Sequence, residues 1–353
     1  MGLAEQLSHM KPRVLFITEK WIDGDPRNYE SPYEACLIGP LEAYGTGEAV
    51  CFYYDEFWSD IAFPTEKNRE ALEVAIEKKI KEAAPDLIIV THILQWQTKT
   101  ARPEFWANVV RHVGVPVVPV WVESSPDVIR EAERFRPHVS FSVVTCHPTL
   151  HLKYTQDPEH YLFAVEPRDP RVFNDDFRID NPYITEGARE ETIRGLRNIP
   201  ISFIGTTLRR QDRIVLLANL WANGVPVFKA GGKEGGNLTT PEYADLLRRS
   251  KMTISTTADG FGVHRYTGRA TEAMLCGAML FESANDLTSR DFVPMRDYVP
   301  FDDPVDLIKK YLWYSEHDGE RRKIAESGMR AAREKRTGKV FWTKVLERAG
   351  IRT

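Results

Sequence analysis

The stretch from Gly260 to Glu282, GFGVHRYTGRATEAMLCGAMLFE, constrains the fold most. It opens as a glycine-bearing loop with Gly260, Gly262 and Gly268. Arg269 to Cys276 reads as a short helix, and Gly277 falls where a helix C-terminus wants a left-handed residue. Ala278-Met279-Leu280-Phe281 is an apolar run of strand length, with Glu282 at its carboxyl end. A loop, a helix N-terminus and a strand end in that order are the parts with which an α/β protein holds a diphosphate. Backbone N–H groups and the helix dipole favour an anion there. His264, Arg265 and Arg269 add side-chain donors, and Glu272, three residues after Arg269, can share its helix face.

A chain of 353 residues suits two hydrophobic cores better than one. Its net charge of −4 excludes a nucleic-acid polycation. Cys36, Cys51, Cys146 and Cys276 are scattered with no metal-ligand spacing, which predicts reduced thiols. The N-terminus lacks an apolar core of signal-peptide length. The most apolar stretch, Val113 to Val122, carries two prolines and is too short to span a bilayer. These features predict a cytoplasmic protein with no integral membrane segment; peripheral contact with a membrane stays open.

Strands are expected at 13–17, 49–54, 86–90, 115–122, 139–145 and 161–165, with an amphipathic helix over 66–84. Ser31-Pro32-Tyr33-Glu34 has capping-box spacing and predicts a helix start. Strands alternating with helices imply a parallel sheet, whose ligands bind beyond the carboxyl ends of the strands. His92, Glu123, His147 and Glu166 fall at such ends. A Gly-x-Gly-x-x-Gly fingerprint after the first strand is absent, which argues against a dinucleotide cofactor.

The Pro- and Asp-rich run 167–182 marks a crossover, and Pro200 is expected to stop a helix over 186–198. The alternation then restarts. Strands are expected at 201–204, 225–229, 252–255, 278–281 and 298–301. Thr239, Pro241 and Glu242 signal a helix start, as do Asp303 and Pro304, and two charged helices close the chain at about 319–335 and 338–349. The predicted domains are 1–165, a crossover 166–198, a second α/β domain 199–337, and a terminal helix 338–353 that can pack back on the first domain.

Gly268-Arg269-Ala270-Thr271-Glu272-Ala273-Met274-Leu275-Cys276-Gly277, with Glu282 behind it, resembles the signature of GT-B nucleotide-sugar glycosyltransferases, in particular the spore-maturation-protein (CgeB-like) type related to the group-1 glycosyltransferases. Ile201–Ile204 with Gly205 and Arg213, and the run Ala164 to Phe173, are similar to that family's domain opening and interdomain crossover. The resemblance is good from Ile201 to about Leu346 and weaker over the first 160 residues. It implies an α/β GT-B fold of two facing Rossmann-like domains with parallel sheets. The nucleotide-sugar would sit mostly on the C-terminal domain and the acceptor mostly on the N-terminal one. It further implies that Glu272 accepts from the ribose hydroxyls. One position departs from the group-1 pattern: eight residues before Glu272, where relatives carry a glutamate, this chain has His264, so the resemblance leaves open whether transfer retains or inverts.

Transfer of a glycosyl group needs the leaving diphosphate neutralised, the acceptor hydroxyl activated and water excluded. Arg269 and Arg213 suit the first task through their forked donors. Gly205, Thr206 and Gly268 let the backbone approach the phosphates, and His264 and Arg265 complete the predicted donor set. For an acceptor base the candidates are His92 and Glu123, then Asp25. Arginines in this role predict a metal-independent reaction with no cofactor beyond the donor itself; Asp23-Gly24-Asp25 has carboxylate spacing but reads as a polar loop. The acceptor, a glycan, lipid-linked glycan, protein or modified nucleobase, is not legible. Two rival functions stand beside the transferase: a sugar-nucleotide epimerase on the same scaffold, and a non-catalytic nucleotide-binding module.

Overall fold

The computed structural model describes residues 11–58, 65–91, 100–122, 125–145, 148–177, 195–232, 236–257 and 268–352. The chain divides into two compact units, Met1–Asp169 with Thr337–Thr353, and Pro170–Arg336.

Unit 1 contains β1 (Arg13–Thr18), helix α1 (Gly39–Ala43), β2 (Glu48–Tyr53), helix α2 (Glu66–Ala83), β3 (Leu87–Thr91), β4 (Val117–Trp121), helix α3 (Pro126–Phe135), β5 (Ser142–Val144) and β6 (Tyr161–Phe163). The strands form one sheet in the order β2-β1-β3-β4-β5-β6, with every pairing parallel. Alternate residues of the central strands enter opposite cores. Leu15, Ile17, Ile88 and Val90 pack with Leu72, Ile76 and Ile80 of α2. Val14, Phe16, Leu87 and Ile89 pack with Leu37, Leu41, Phe341, Trp342 and Val345. Covering both faces is why these strands read as unbroken apolar runs.

Unit 2 contains β7 (Ile199–Ile204), α4 (Gln211–Ala222), β8 (Val227–Ala230), α5 (Thr240–Arg249), β9 (Ser250–Ser255), α6 (Arg269–Leu275), β10 (Met279–Ser283), β11 (Val299–Phe301), α7 (Pro304–Glu316) and α8 (Asp318–Lys335). The sheet order is β11-β10-β9-β7-β8, again parallel throughout. The chain then returns to unit 1 as α9 (Gly338–Arg348). Trp342 of α9 is fully buried, donates Nε1–H to the Leu37 carbonyl at 3.1 Å and meets Phe16 edge to face.

Two local expectations change. Pro200 does not precede the strand but lies inside β7, at an exposed second position. A proline is tolerated at such a strand start. Ser31 does stand at a helix start, its Oγ accepting from the Tyr33 N–H at 3.5 Å and its carbonyl from the Glu34 N–H at 3.3 Å, but the helix opens differently from the expected α-helix. The Ser31 hydroxyl donates to buried Glu19 at 2.9 Å, and the following turn, Glu34–Ile38, is a π-helix rather than an α-helix. The Thr239–Glu242 capping box forms as its spacing predicts, with the Glu242 N–H donating to Thr239 Oγ1 and the Glu242 carboxylate accepting from the Thr239 N–H.

Candidate functional site

The predicted donor residues that the structure describes gather at the carboxyl ends of β7 and β9 and at the start of α6. β7 runs directly into Gly205, whose φ of +150° is a conformation that side chains strain to adopt. The Arg269 guanidinium lies over this glycine: a Cβ added to Gly205 would fall 3.4 Å from Nη2 and 3.6 Å from Nη1. Among the described residues, Arg269 has neither a hydrogen-bond nor an ion-pair partner, and it is half-buried. A half-buried cation with no hydrogen-bonded or ion-paired partner among the described residues has the chemistry to attract an anion.

Arg213 braces the backbone at this end of the sheet. It is 3 % exposed. Its Nε donates to Thr256 Oγ1 at 3.0 Å and its Nη1 to the Thr206 carbonyl at 2.9 Å. It therefore ties the loop after β7 to the loop after β9, which fixes the Gly205-Thr206 backbone. Thr206 Oγ1 in turn accepts from the Leu208 N–H at 3.1 Å. Gly268 is buried, and its carbonyl accepts from the Glu272 N–H at 2.9 Å, closing the first turn of α6.

Glu272 is half-buried on α6, and its Oε2 accepts from the Tyr243 hydroxyl at 2.7 Å. Burial, then the Glu272 charge, holds the Tyr243 phenol well above its ordinary pKa, so it stays a donor. Tyr243 sits on α5, 29 residues before Glu272, and nothing in the spacing announced it. Helix α6 ends in a Schellman turn, with Ala278 N–H to Ala273 O and Gly277 N–H to Met274 O, and Gly277 at φ +74°.

Behind Arg269, Glu282 is fully buried, and neither carboxyl oxygen has a partner at bonding geometry. Ser255, its register partner on β9, likewise has an unpartnered hydroxyl, and it lines a small cleft together with Arg269 and Tyr243. Burial pushes the Glu282 carboxyl up to about 8, while the Ser255 hydroxyl and then the Arg269 charge oppose the rise. At neutral pH Glu282 is largely protonated, so it leaves the Arg269 charge uncancelled.

In unit 1 the carboxyl end of the sheet is polar and buried. Thr18 and Thr91 share a hydrogen bond of 2.7 Å between hydroxyls, and Asp55 accepts from the Lys20 and Trp21 N–H groups. Asp25 caps a short 3-10 turn and is engaged by Arg27 at 2.5 Å, which lowers its pKa to about 2. A carboxylate that acidic is a poor general base near neutrality. His92, Glu123, His264 and Arg265, and also His147, lie outside the described residues. Among the described residues no group of His, Cys, Asp and Glu is arranged to hold a metal ion, and no helix is long and apolar enough to cross a membrane.

Residues 191–346 match the family model described as Glycosyl transferase-like. No curated protein matches the chain. Solved structures share its architecture at low identity. HepE of Anabaena, in complex with UDP-glucose, is 13% identical with a TM-score of 0.65, over 95% of this chain and 98% of that one. The catalytic domain of starch synthase IV from Arabidopsis thaliana, bound to ADP and acarbose, is 10% identical with a TM-score of 0.63, over 96% and 99%. A putative UDP-N-acetylglucosamine 2-epimerase from Listeria monocytogenes is 12% identical with a TM-score of 0.51, over 92% and 94%. The chain thus has the GT-B fold, two Rossmann-like parallel-sheet units in one polypeptide, and its second unit is similar to the Glycosyl transferase-like family.

Proposed function

We propose that this protein is a nucleotide-sugar-dependent glycosyltransferase of the EC 2.4 class, of the group-1-related, CgeB-like type, and that it moves a sugar to an acceptor hydroxyl without a metal ion. The observation that carries the reading is the unpaired Arg269 guanidinium over Gly205, at the carboxyl ends of the unit 2 strands. The match of residues 191–346 to a glycosyltransferase-like model supports it. So does the likeness in fold to proteins solved with UDP-glucose and with ADP.

In this reading unit 2 binds the donor. The Gly205-Thr206 backbone, held by Arg213, lies against the diphosphate, and Arg269 neutralises the charge that grows on it as the glycosidic bond breaks. A planar fork is suited to two phosphate oxygens at once. Glu272, oriented by Tyr243, accepts from the ribose hydroxyls. His264 and Arg265 join the donor set as expected from their places in the motif. Unit 1 binds the acceptor, and His92 or Glu123 takes the hydroxyl proton. Asp25 drops behind them because Arg27 holds its proton affinity so low.

Incubation with a nucleotide-sugar and a panel of hydroxyl acceptors tests the reading. The expected outcome is a glycosylated acceptor plus nucleoside diphosphate. Either His92→Ala or Glu123→Ala should abolish transfer while donor binding survives; near-normal turnover in both would remove them as bases. The fold shared with a putative 2-epimerase favours one rival. An altered sugar nucleotide formed with no acceptor present would establish the epimerase instead. Nucleotide binding with no chemistry at all would leave a binding module.

A further inference from the structure

Helix α6 has Arg269 at its first residue, and just beyond its last lies a second basic site. A pocket of about 440 Å³ opens at the amino ends of β7, β9 and β10, the opposite end of the unit 2 sheet from the donor site. Arg197 precedes β7, Lys251 is the second residue of β9, Gly277 precedes β10, and Asp318, Arg321 and Arg322 come from the first two turns of α8.

The charges of this pocket do not cancel. Arg197 donates Nη1 to the Arg248 and Ser250 carbonyls, at 2.7 and 3.3 Å, and Nη2 to the Cys276 carbonyl at 3.1 Å. A guanidinium carries five donors, so two remain. Arg321, 5 % exposed, binds the Asp318 carboxylate through Nε and Nη2 and the Lys251 carbonyl through Nη1, which also leaves two. Arg322 Nε lies 3.1 Å from Asp318 Oδ2 but makes no hydrogen bond. The Lys251 ammonium makes no hydrogen bond or ion-pair contact among the described residues, although its charge is felt at Asp318. On the acidic side, Asp318 is already shared by two arginines, and Asp175 is taken by Arg333 at 2.5 Å. Glu326 is exposed. Burial, followed by the neighbouring Arg321 charge, lowers the Arg197 pKa to about 10, with the Asp175 charge opposing the fall.

Arg197 is held rigidly over Gly277. A Cβ there would fall 2.5 Å from Arg197 Nη2. Donors fixed in advance lose little freedom when a ligand arrives. Several converging cations in one concavity match a dianion better than a single carboxylate. The volume exceeds what a bare phosphate fills and suits a small phosphorylated molecule.

We propose that this pocket binds a small phosphorylated molecule through Arg197, Lys251, Arg321 and Arg322, independently of the donor site. The test is isothermal titration of the full chain with glucose 6-phosphate and, separately, with inorganic phosphate, at constant ionic strength so that general screening is matched. Three variants accompany the wild type: K251Q/R322Q, E326K and R269A. The double variant removes only partly exposed charges, and circular dichroism confirms that it folds. Saturable binding is expected, weakened about tenfold or more in K251Q/R322Q, which is the effect of losing one charge-assisted hydrogen bond. Binding should tighten in E326K, where a rim carboxylate becomes a cation, and should be unchanged in R269A. Equal affinity for the two probes would mean that the pocket reads phosphate alone; tighter glucose 6-phosphate would mean that it reads the attached group as well. Absence of saturable binding up to about 10 mM of either probe, or loss in R269A with retention in K251Q/R322Q, would overturn the proposal.

Discussion

Glu282 and Ser255 lie side by side at the ends of β10 and β9, both buried, with no bonding partner for the carboxyl oxygens or the hydroxyl. Buried polar groups left in this state are rare, and their cost is felt in stability. The ordinary carboxyl pKa of 4.5 rises to about 8 in the folded protein. A group that holds its proton more tightly when folded contributes fully below pH 4.5, and that contribution is lost as pH climbs toward 8. Glu282→Gln keeps the neutral shape and removes the titration. Its melting temperature should therefore exceed that of the wild type by a margin that grows from pH 5 to pH 8. A margin independent of pH would show that Glu282 does not titrate in this range. At this scale the sequence was legible where a motif fixed the position. Arg269 and Glu272 fall on the helix that the motif predicts, and Gly205 falls directly after β7. Tyr243 and Thr256 were not legible, because their roles come from contacts between residues 29 and 43 positions apart. Arg213 was read as a phosphate ligand; its burial and its bonds to Thr256 and Thr206 show that it braces the loops there, a role its spacing did not announce.

The strands were readable because a sheet covered on both faces needs apolar residues at every position, and runs such as Leu87–Thr91 supply them. Helix starts were readable where a side chain closes the cap locally, as at Thr239. At Ser31 a helix starts where the spacing puts it, yet its first turns, Glu34–Ile38, are a π-helix and the Ser31 hydroxyl also donates to buried Glu19, a contact that depends on the tertiary fold. Helix α9 shows what an element can owe to distant packing. It is the last helix of the chain yet lies in the core of unit 1, with Phe341, Trp342, Val345 and Leu346 all buried. Trp342→Ala should cost about 3–5 kcal/mol, as large-to-small changes of buried aromatics do, and should also leave the Leu37 carbonyl without its donor. Urea unfolding of unit 1 reads this directly. A cost below about 1 kcal/mol would mean that α9 adds little to that core.

For the whole molecule, two parallel-sheet units divide the work that the proposed reaction requires. In the proposed reaction the second unit would offer a nucleoside diphosphate its glycine turn, a guanidinium unpaired among the described residues and a carboxylate held by a tyrosine. The first contributes a polar strand-end cluster around Thr18, Thr91 and Asp55. The pairing of domains was visible in the restart of strand–helix alternation after the Pro-rich crossover. The identity of the base and of the acceptor was not, since neither leaves a fixed spacing. The most direct measurement is calorimetric titration with UDP, GDP and dTDP of the wild type and of Arg269→Ala. The wild type should bind one of them, and the variant should bind it about 10- to 100-fold more weakly with its melting temperature unchanged, as expected for one lost bidentate charge-assisted contact. Undiminished nucleotide affinity in Arg269→Ala would contradict the assignment of the donor site.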